Sequence, residues 1–271
     1  MPHPPLPGIP AWLWPRAAAG PGRLLMVDYD GTLAPFQLDR DKAFPHPRSI
    51  ALVRQIGEGR RTSLAVVSGR PIEALDRLLG PLPAAWLVGE HGWESRSPDG
   101  QLVLHPLAEP AGRALREAAA RLVERGWGHC LEAKRTALMV HTRAFSARKA
   151  SEVEAECDRI WRERALSPQL RRARVDGGLE LRARGHDKGT AVSELVGLSE
   201  PGTLAVYLGD DETDEDAFAA VRESGLGIRV GDRPRPSLAL GRLESWDEVA
   251  EFLERWRDEV ERSAAGAGSN S

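Results

Sequence analysis

Apolar positions follow two periods that alternate along the chain. Leu24 to Tyr29 is a short apolar run ending in acidic residues, too brief for a helix, and it predicts a buried strand. Ser49 to Gly59 places Ile50, Leu52, Val53 and Ile56 at helical spacing. Leu64 to Val67 predicts a second buried strand, Pro71 to Leu79 a helix, and Trp86 to Val88 a third strand. The alternation returns late in the chain: helix from Lys188 to Val196, strand from Thr203 to Leu208, helix from Thr213 to Glu223, strand from Leu226 to Val230. Ser245 to Glu248 reads as a capping box that opens a last helix running to about Arg262. Strands alternating with helices predict an α/β fold: a doubly wound, mainly parallel, Rossmann-like sheet with helices on both faces.

The middle breaks that rhythm. Glu109 to Arg125 predicts an alanine-rich helix, Cys130 to Ala133 and Ala137 to Thr142 two strands, and Ser146 to Arg164 a long charged helix. Leu170 to Val175 and Leu179 to Arg184 predict two more strands around Asp176-Gly177-Gly178, a hairpin turn. The order α-β-β-α-β-β describes an independent α+β layer. The expected organisation is a proline-rich segment over 1–22, a core domain over 23–106 and 185–262, an inserted domain over 107–184, and a disordered small-residue tail over 263–271. The proline-rich segment is expected to be extended, with Trp12 and Trp14 docked on the body.

Composition narrows the function classes. The net charge of −3 gives no basic excess to attract a nucleic-acid backbone. No apolar run approaches the roughly 20 residues that span a bilayer, and the first residues lack the charged head and apolar stretch of a signal peptide. The two cysteines, Cys130 and Cys157, have no metal-ligand spacing, and two buried free thiols fit a reducing, cytoplasmic setting. Only four lysines occur among 37 basic residues: Lys42, Lys134, Lys149 and Lys188. A biased genome explains most of this, but a surviving lysine also marks places where a compact ammonium is needed.

Candidate chemistry gathers at strand ends. Asp28 and Asp30, within Asp28-Tyr29-Asp30-Gly31-Thr32-Leu33, sit at the carboxyl end of the first strand, the edge where open α/β sheets bind ligands. Two carboxylates this close repel unless a cation or proton intervenes, and a hard divalent ion suits them. Asp30 capping a turn is the plain structural alternative. Gly31 allows close approach and offers an amide donor. Ser68-Gly69-Arg70 follows the second strand, where a hydroxyl and an amide could bind phosphate oxygens or a serine could simply cap a helix. Asp187-Lys188-Gly189 opens a helix. Six of the seven residues from Asp210 to Asp216 are acidic. Like charges at this density need solvent, a helix dipole or a metal. The dipole accounts in part for Asp214 to Asp216, whereas Asp210, beside the buried strand, is the better placed metal ligand.

Taken in order, Asp28-x-Asp30-Gly31-Thr32, Ser68, Lys188 and Gly209-Asp210-Asp211 resemble the four motifs of the haloacid-dehalogenase-like phosphatases. That resemblance implies that Asp28 attacks phosphorus and becomes an aspartyl phosphate, and that Asp30 protonates the leaving group and then activates water. It implies Mg2+ held by Asp28, the Asp30 carbonyl and Asp210, with Asp211 orienting the metal shell or Lys188. It also implies phosphoryl binding by Gly31, Ser68, Gly69 and Lys188.

A narrower resemblance, from Leu24 to about Leu253, is to the trehalose-6-phosphate phosphatases. It rests on Asp28 to Pro35, on Gly89-Glu90-His91-Gly92-Trp93-Glu94, on Gly209 to Glu215, on Glu132-Ala133-Lys134, on His141-Thr142-Arg143 and on Glu180. It implies that the inserted α+β domain is a cap closing over a small sugar-phosphate substrate. Glu132, Lys134 and Glu180 would contact sugar hydroxyls, and Arg143 would assist at the phosphate or support the cap strands. A solvated cross-strand network is the alternative for these residues. His141 is expected to pack on the sheet, and His91 to satisfy its own loop. The chain is expected to act alone or beside a separate trehalose-6-phosphate synthase. Phosphatases of sucrose, glucosylglycerol or mannosylglycerate phosphates, a phosphomutase, and a silent sugar-phosphate-binding regulator remain alternatives.

Overall fold

A computed structural model describes residues 3, 6–37, 39–82, 84–162, 168–175 and 177–267, with side chains to 261. Contacts divide the chain into two compact units, Met1–Leu104 with Asp187–Ser271, and His105–His186. The first stretch carries α1 (Leu13–Ala19), β1 (Arg23–Asp28), α2 (Pro47–Gly59), β2 (Ser63–Val67), α3 (Ile72–Leu79), β3 (Ala85–Gly89), β4 (Glu94–Arg96) and β5 (Leu102–Leu104). The interrupting unit carries α4 (Glu109–Glu124), β6 (Leu131–Ala133), β7 (Ala137–His141), α5 (Ala147–Arg162), β8 (Leu170–Val175) and β9 (Gly178–Ala183). The chain then returns with α6 (Lys188–Gly197), β10 (Leu204–Gly209), α7 (Glu215–Val221), β11 (Gly225–Val230), β12 (Gly241–Leu243) and α8 (Trp246–Ala267).

The larger unit holds an eight-stranded sheet in the order β12-β11-β10-β1-β2-β3-β4-β5. Its strands are parallel from β12 to β3, and β4 and β5 add an antiparallel edge. Buried side chains alternate between the faces, as a strand's period of two demands. Leu25, Val27, Leu64, Val66, Val206 and Leu208 join a cluster with α1, α2, α3 and α8. Leu24, Met26, Ala65, Val67, Ala205 and Tyr207 join another with α6 and α7. Because β1 lies between β10 and β2, the strand order reverses there, and the reversal opens a crevice at the carboxyl ends.

The smaller unit is an antiparallel sheet, β6-β7-β9-β8, with α4 and α5 packed against it. Register sets Glu132 opposite Met139, and Met139 opposite Glu180. The expected turn residue Asp176 and the expected helix end at Arg164 lie outside the described residues.

Four features depart from the sequence reading. The lead-in is not wholly extended, because Leu13–Ala19 is helical. Pro15 stands in its first turn, where a missing amide hydrogen loses no helical bond. Trp14 is buried against Phe252, ring centroids 5.4 Å apart, with Arg255 over its ring, whereas Trp12 is 41% exposed. The three-residue strands β4, β5 and β12 are too short for a period to register. At the other end α8 continues past Arg262 to Ala267.

Trp14→Ala removes an aromatic side chain that joins α1 to α8. A loss of about 3–5 kcal/mol is expected, measured by urea unfolding; a change below about 1 kcal/mol would show that α1 adds no packing.

Candidate active site

The crevice collects the charged ends of β1 and β10 and the first residue of α6. Asp28, the last residue of β1, is buried, and so is Lys188, capped into place by Asp187, whose carboxylate accepts the Thr190 amide at 2.8 Å. Lys188 Nζ donates to Asp28 Oδ1 and to Asp214 Oδ1, each at 2.7 Å. Burial alone would lower the lysine pKa, but Asp214 and Asp28 outweigh it and hold the ammonium above its ordinary value. Burial raises the Asp28 pKa to about 8; Lys188 opposes that rise, while Asp214 and Asp30 add to it.

Asp214 is the residue that the sequence reading undervalued. Assigned in part to a helix dipole, it is instead fully buried and accepts four hydrogen bonds: from Lys188 Nζ, from Tyr207 Oη at 2.6 Å, and from the amides of Asp210 and Asp211 at 3.0 and 2.9 Å. Its offset is the missed signal: four residues past Asp210, across a tight turn, its carboxylate can turn back onto the amides that open that turn. Gly209 is required beside it, since any Cβ there would collide with the Asp214 carboxylate. Asp211, expected to orient the metal shell or Lys188, accepts the Glu212 amide on Oδ1 at 2.7 Å, and Lys188 donates to Asp214 rather than to it.

Asp28, Asp210 and Asp214 each bring a carboxylate oxygen within 4.8 Å of the others, a grouping able to hold a metal ion. Asp214 has both oxygens engaged by donors, so Asp28 and Asp210 are the members with capacity to spare. Asp210 Oδ1 is buried with no hydrogen-bond partner. Burial, then Asp28, Asp214 and Asp211, push its pKa well above the ordinary value, and Lys188 opposes them. An orphaned oxygen among mutually repelling carboxylates fits a hard cation.

Asp30 lies apart from that trio. Its two oxygens accept from Arg70 Nη2 and Nε, both at 2.7 Å, in a bidentate pair with Arg70 buried and Asp30 24% exposed. Arg70 is further fixed by donating to the Arg40 carbonyl at 2.8 Å and lying over the Tyr29 ring. Nothing in the Ser68-Gly69-Arg70 motif marks Arg70 for this pairing, which appears only in the fold.

Gly31 requires a correction. Its amide, expected to bind phosphate, donates to the Ala34 carbonyl at 2.8 Å. What the position demands is absence of a side chain: φ is +82°, and a Cβ would strike the Asp210 carboxylate. Thr32 Oγ1, next along, is buried with no hydrogen-bond partner.

Ser68 is buried just past β2, its Oγ accepting the Arg70 amide at 3.1 Å, so its proton remains available to a ligand oxygen. The ring of His91 covers Gly69 closely enough to exclude a Cβ there. Glu90 and His91 both have positive φ, 46° and 56°. Such strain clusters at functional sites. The His91 amide donates to the Ser68 carbonyl at 2.9 Å, and Gly92 abuts the Asp187 carbonyl. This loop therefore braces the Ser68 turn against the start of α6.

In the smaller unit, Glu132, His141 and Glu180 share the sheet face that also carries Met139 and Arg182. His141 is not packed as expected: its side chain is 36% exposed and its Nε2 lies 2.6 Å from Glu132 Oε2. Glu180 is buried, 3.9 Å from Arg182. Lys134 lies two residues beyond Glu132, its amide donating to the Ala137 carbonyl at 2.8 Å. Arg143 packs over the Gly177 turn.

Comparison with known proteins identifies the fold and the family. The fold is shared with a haloacid dehalogenase-like hydrolase from B. subtilis (TM-score 0.60, 16% identity, 86% of this chain and 99% of that one). It is shared more closely with the C. albicans trehalose-6-phosphate phosphatase C-terminal domain (TM-score 0.81, 21% identity, 94% and 98%). The trehalose-phosphatase family profile matches residues 26–240. A trehalose-phosphate phosphatase of Mycobacterium avium is 36% identical over 90% of this chain. The chain belongs to the trehalose-phosphatase family, within the haloacid-dehalogenase-like fold. It spans 64% of the length of the M. avium relative.

Asp214→Asn tests the hub. An amide has one accepting oxygen where the carboxylate has two, so donors would face an NH2 group. A loss of about 3 kcal/mol is expected, read by urea unfolding; stability within about 0.5 kcal/mol of the parent would remove Asp214 from that part.

Proposed function

We propose that the protein is a phosphoric monoester hydrolase that converts trehalose 6-phosphate to trehalose and phosphate through an aspartyl phosphate on Asp28. One observation carries the reading: a buried ammonium, Lys188, ties a strand-end carboxylate to the acidic turn after β10, beside the orphaned oxygen of Asp210. The substrate follows from family membership and from relatives that carry the name trehalose-phosphate phosphatase.

Asp28 is the nucleophile. Carboxylates are weak nucleophiles, so the phosphoryl group has to be aligned and its charge offset. Lys188 and Ser68, with the Gly69 amide, hold the phosphoryl oxygens. A divalent cation, which we take to be Mg2+, would be held by Asp28, Asp210 and the Asp30 carbonyl and supply charge neutralisation between nucleophile and phosphate. Asp30 gives a proton to the departing sugar oxygen and later takes one from the water that cleaves the intermediate. For this it must leave its pair with Arg70. The smaller unit serves as the cap, with Glu132, Lys134 and Glu180 reading sugar hydroxyls, His141 orienting Glu132, and Arg143 supporting the adjoining turn.

No described helix is long and apolar enough to cross a membrane. We place the enzyme in the cytoplasm, where two buried free thiols stay reduced, as the consumer of the product of a separate trehalose-6-phosphate synthase.

A phosphate-release assay over sugar phosphates tests the reading: trehalose 6-phosphate should turn over with Mg2+ and fail with EDTA, and glucose 6-phosphate should react far more slowly. Equal rates on both sugars would refute the specificity. Asp28→Asn should abolish turnover with the fold intact, and retained activity would remove Asp28 as nucleophile. Asp30→Asn should lower kcat by about 10²–10⁴-fold; a near-parental rate would exclude it as the acid.

A further inference from the structure

At the β12 edge of the large sheet the register sets Arg229 directly beside Arg242 across the parallel pair β11–β12. Like charges in that relation destabilise a sheet. Arg235, in the connection between the two strands, adds a third guanidinium. All three line one cavity of about 330 Å³, which Ser237 also borders. General basicity does not explain the cluster, because the chain carries a net charge of −3.

The three arginines are not equally compensated. Arg235 donates to the Asp210 carbonyl at 2.9 Å and lies 3.4 Å from Glu215. Arg242 donates to the carbonyls of Gly231 and Asp232 and lies 3.6 Å from Glu244. Arg229 is only 6% exposed, donates to the Arg233 carbonyl at 2.8 Å, and has no carboxylate partner among the described residues. Burial, then Arg242 and Arg235, hold its pKa below the ordinary value, with Glu215 and Asp232 opposing. A buried guanidinium beside two others, with no carboxylate in direct contact, suits an added anion.

We propose that this cavity is a second oxyanion site, with Arg229 and Arg242 as ligands and a phosphate or the phosphoryl group of a small metabolite as occupant. Paired guanidinium forks suit tetrahedral oxyanions, which accept several charge-assisted hydrogen bonds at once. The volume lies in the range of small-molecule pockets and exceeds the needs of one free ion. Strands β11 and β12 lie two and three places from β1, so by strand spacing the site lies roughly 10–14 Å from Asp28. The inference goes beyond the phosphatase reading, in which neither Arg229 nor Arg242 takes part.

The test uses the full chain in EDTA, titrated calorimetrically with inorganic phosphate and separately with glucose 6-phosphate, beside Arg242→Glu. Binding by the parent and weakening of about tenfold or more in Arg242→Glu are expected. Tighter binding of the sugar phosphate would identify a metabolite as occupant, and equal or weaker binding the free ion; either supports the site. Parental crystals soaked in tungstate should show anomalous density between Arg229 and Arg242, a readout independent of any variant's folding. No binding by the parent, unchanged affinity in Arg242→Glu, or tungstate density confined to the Asp28 crevice would overturn the proposal.

Discussion

The large unit is organised around one buried cation. Lys188 enters the crevice from the start of α6, and burying an ammonium is costly unless it is paired and hydrogen-bonded. Asp28 and Asp214 meet that requirement from either side, each at 2.7 Å. The compensation is tight because three chain segments, distant in sequence, must each be in register to provide it. The end of β1, the turn after β10 and the cap of α6 are thereby set relative to one another. Asp210 is carried in by the same turn, since its own amide donates to Asp214. The carboxylate left without a hydrogen-bond partner on one oxygen is the one delivered by that structural pairing.

Close approach is the second constraint, and glycines answer it. Gly31 lies against the Asp210 carboxylate, and Gly209 against that of Asp214. At Gly209 a methyl group would displace a carboxylate that the lysine holds, and at Gly31 the neighbouring carboxylate of Asp210. The positive φ of Glu90 and His91 belongs with this, for two non-glycine residues tolerate a left-handed backbone only where the surroundings over-determine it. Here the Ser68 carbonyl on one side and α6 on the other do so.

The parallel core was legible because β1, β2, β3 and β10 are buried on both faces and therefore read as apolar runs. The short strands β4, β5 and β12 were not, since three residues cannot display a period. In the site, Asp28, Lys188 and Asp210 stood out by place and type. Asp214 did not, because a row of acids before a helix has a sufficient local explanation in the dipole. Only its burial, with four donors around it, distinguishes a hub from a cap. Gly31 shows the converse: a glycine suited to donating its amide to a ligand has that amide committed to Ala34. The paired arginines at 229 and 242 become neighbours only through register.

Asp30 and Asp28 are two residues apart, yet they occupy different electrostatic settings, and the difference bears on the roles proposed for them. Asp28 is almost wholly buried and faces an ammonium that also serves Asp214. Asp30 is 24% exposed and clamped by a planar guanidinium through both oxygens. A carboxylate with both oxygens accepting from arginine is committed to that geometry, whereas a general acid must reach the leaving oxygen. The role proposed for Asp30 as proton donor therefore requires it to depart from the pair with Arg70. The asymmetry of burial makes that step feasible on one side only. Arg70 is held by the Arg40 carbonyl and the Tyr29 ring and stays, while the more exposed Asp30 is the partner free to turn.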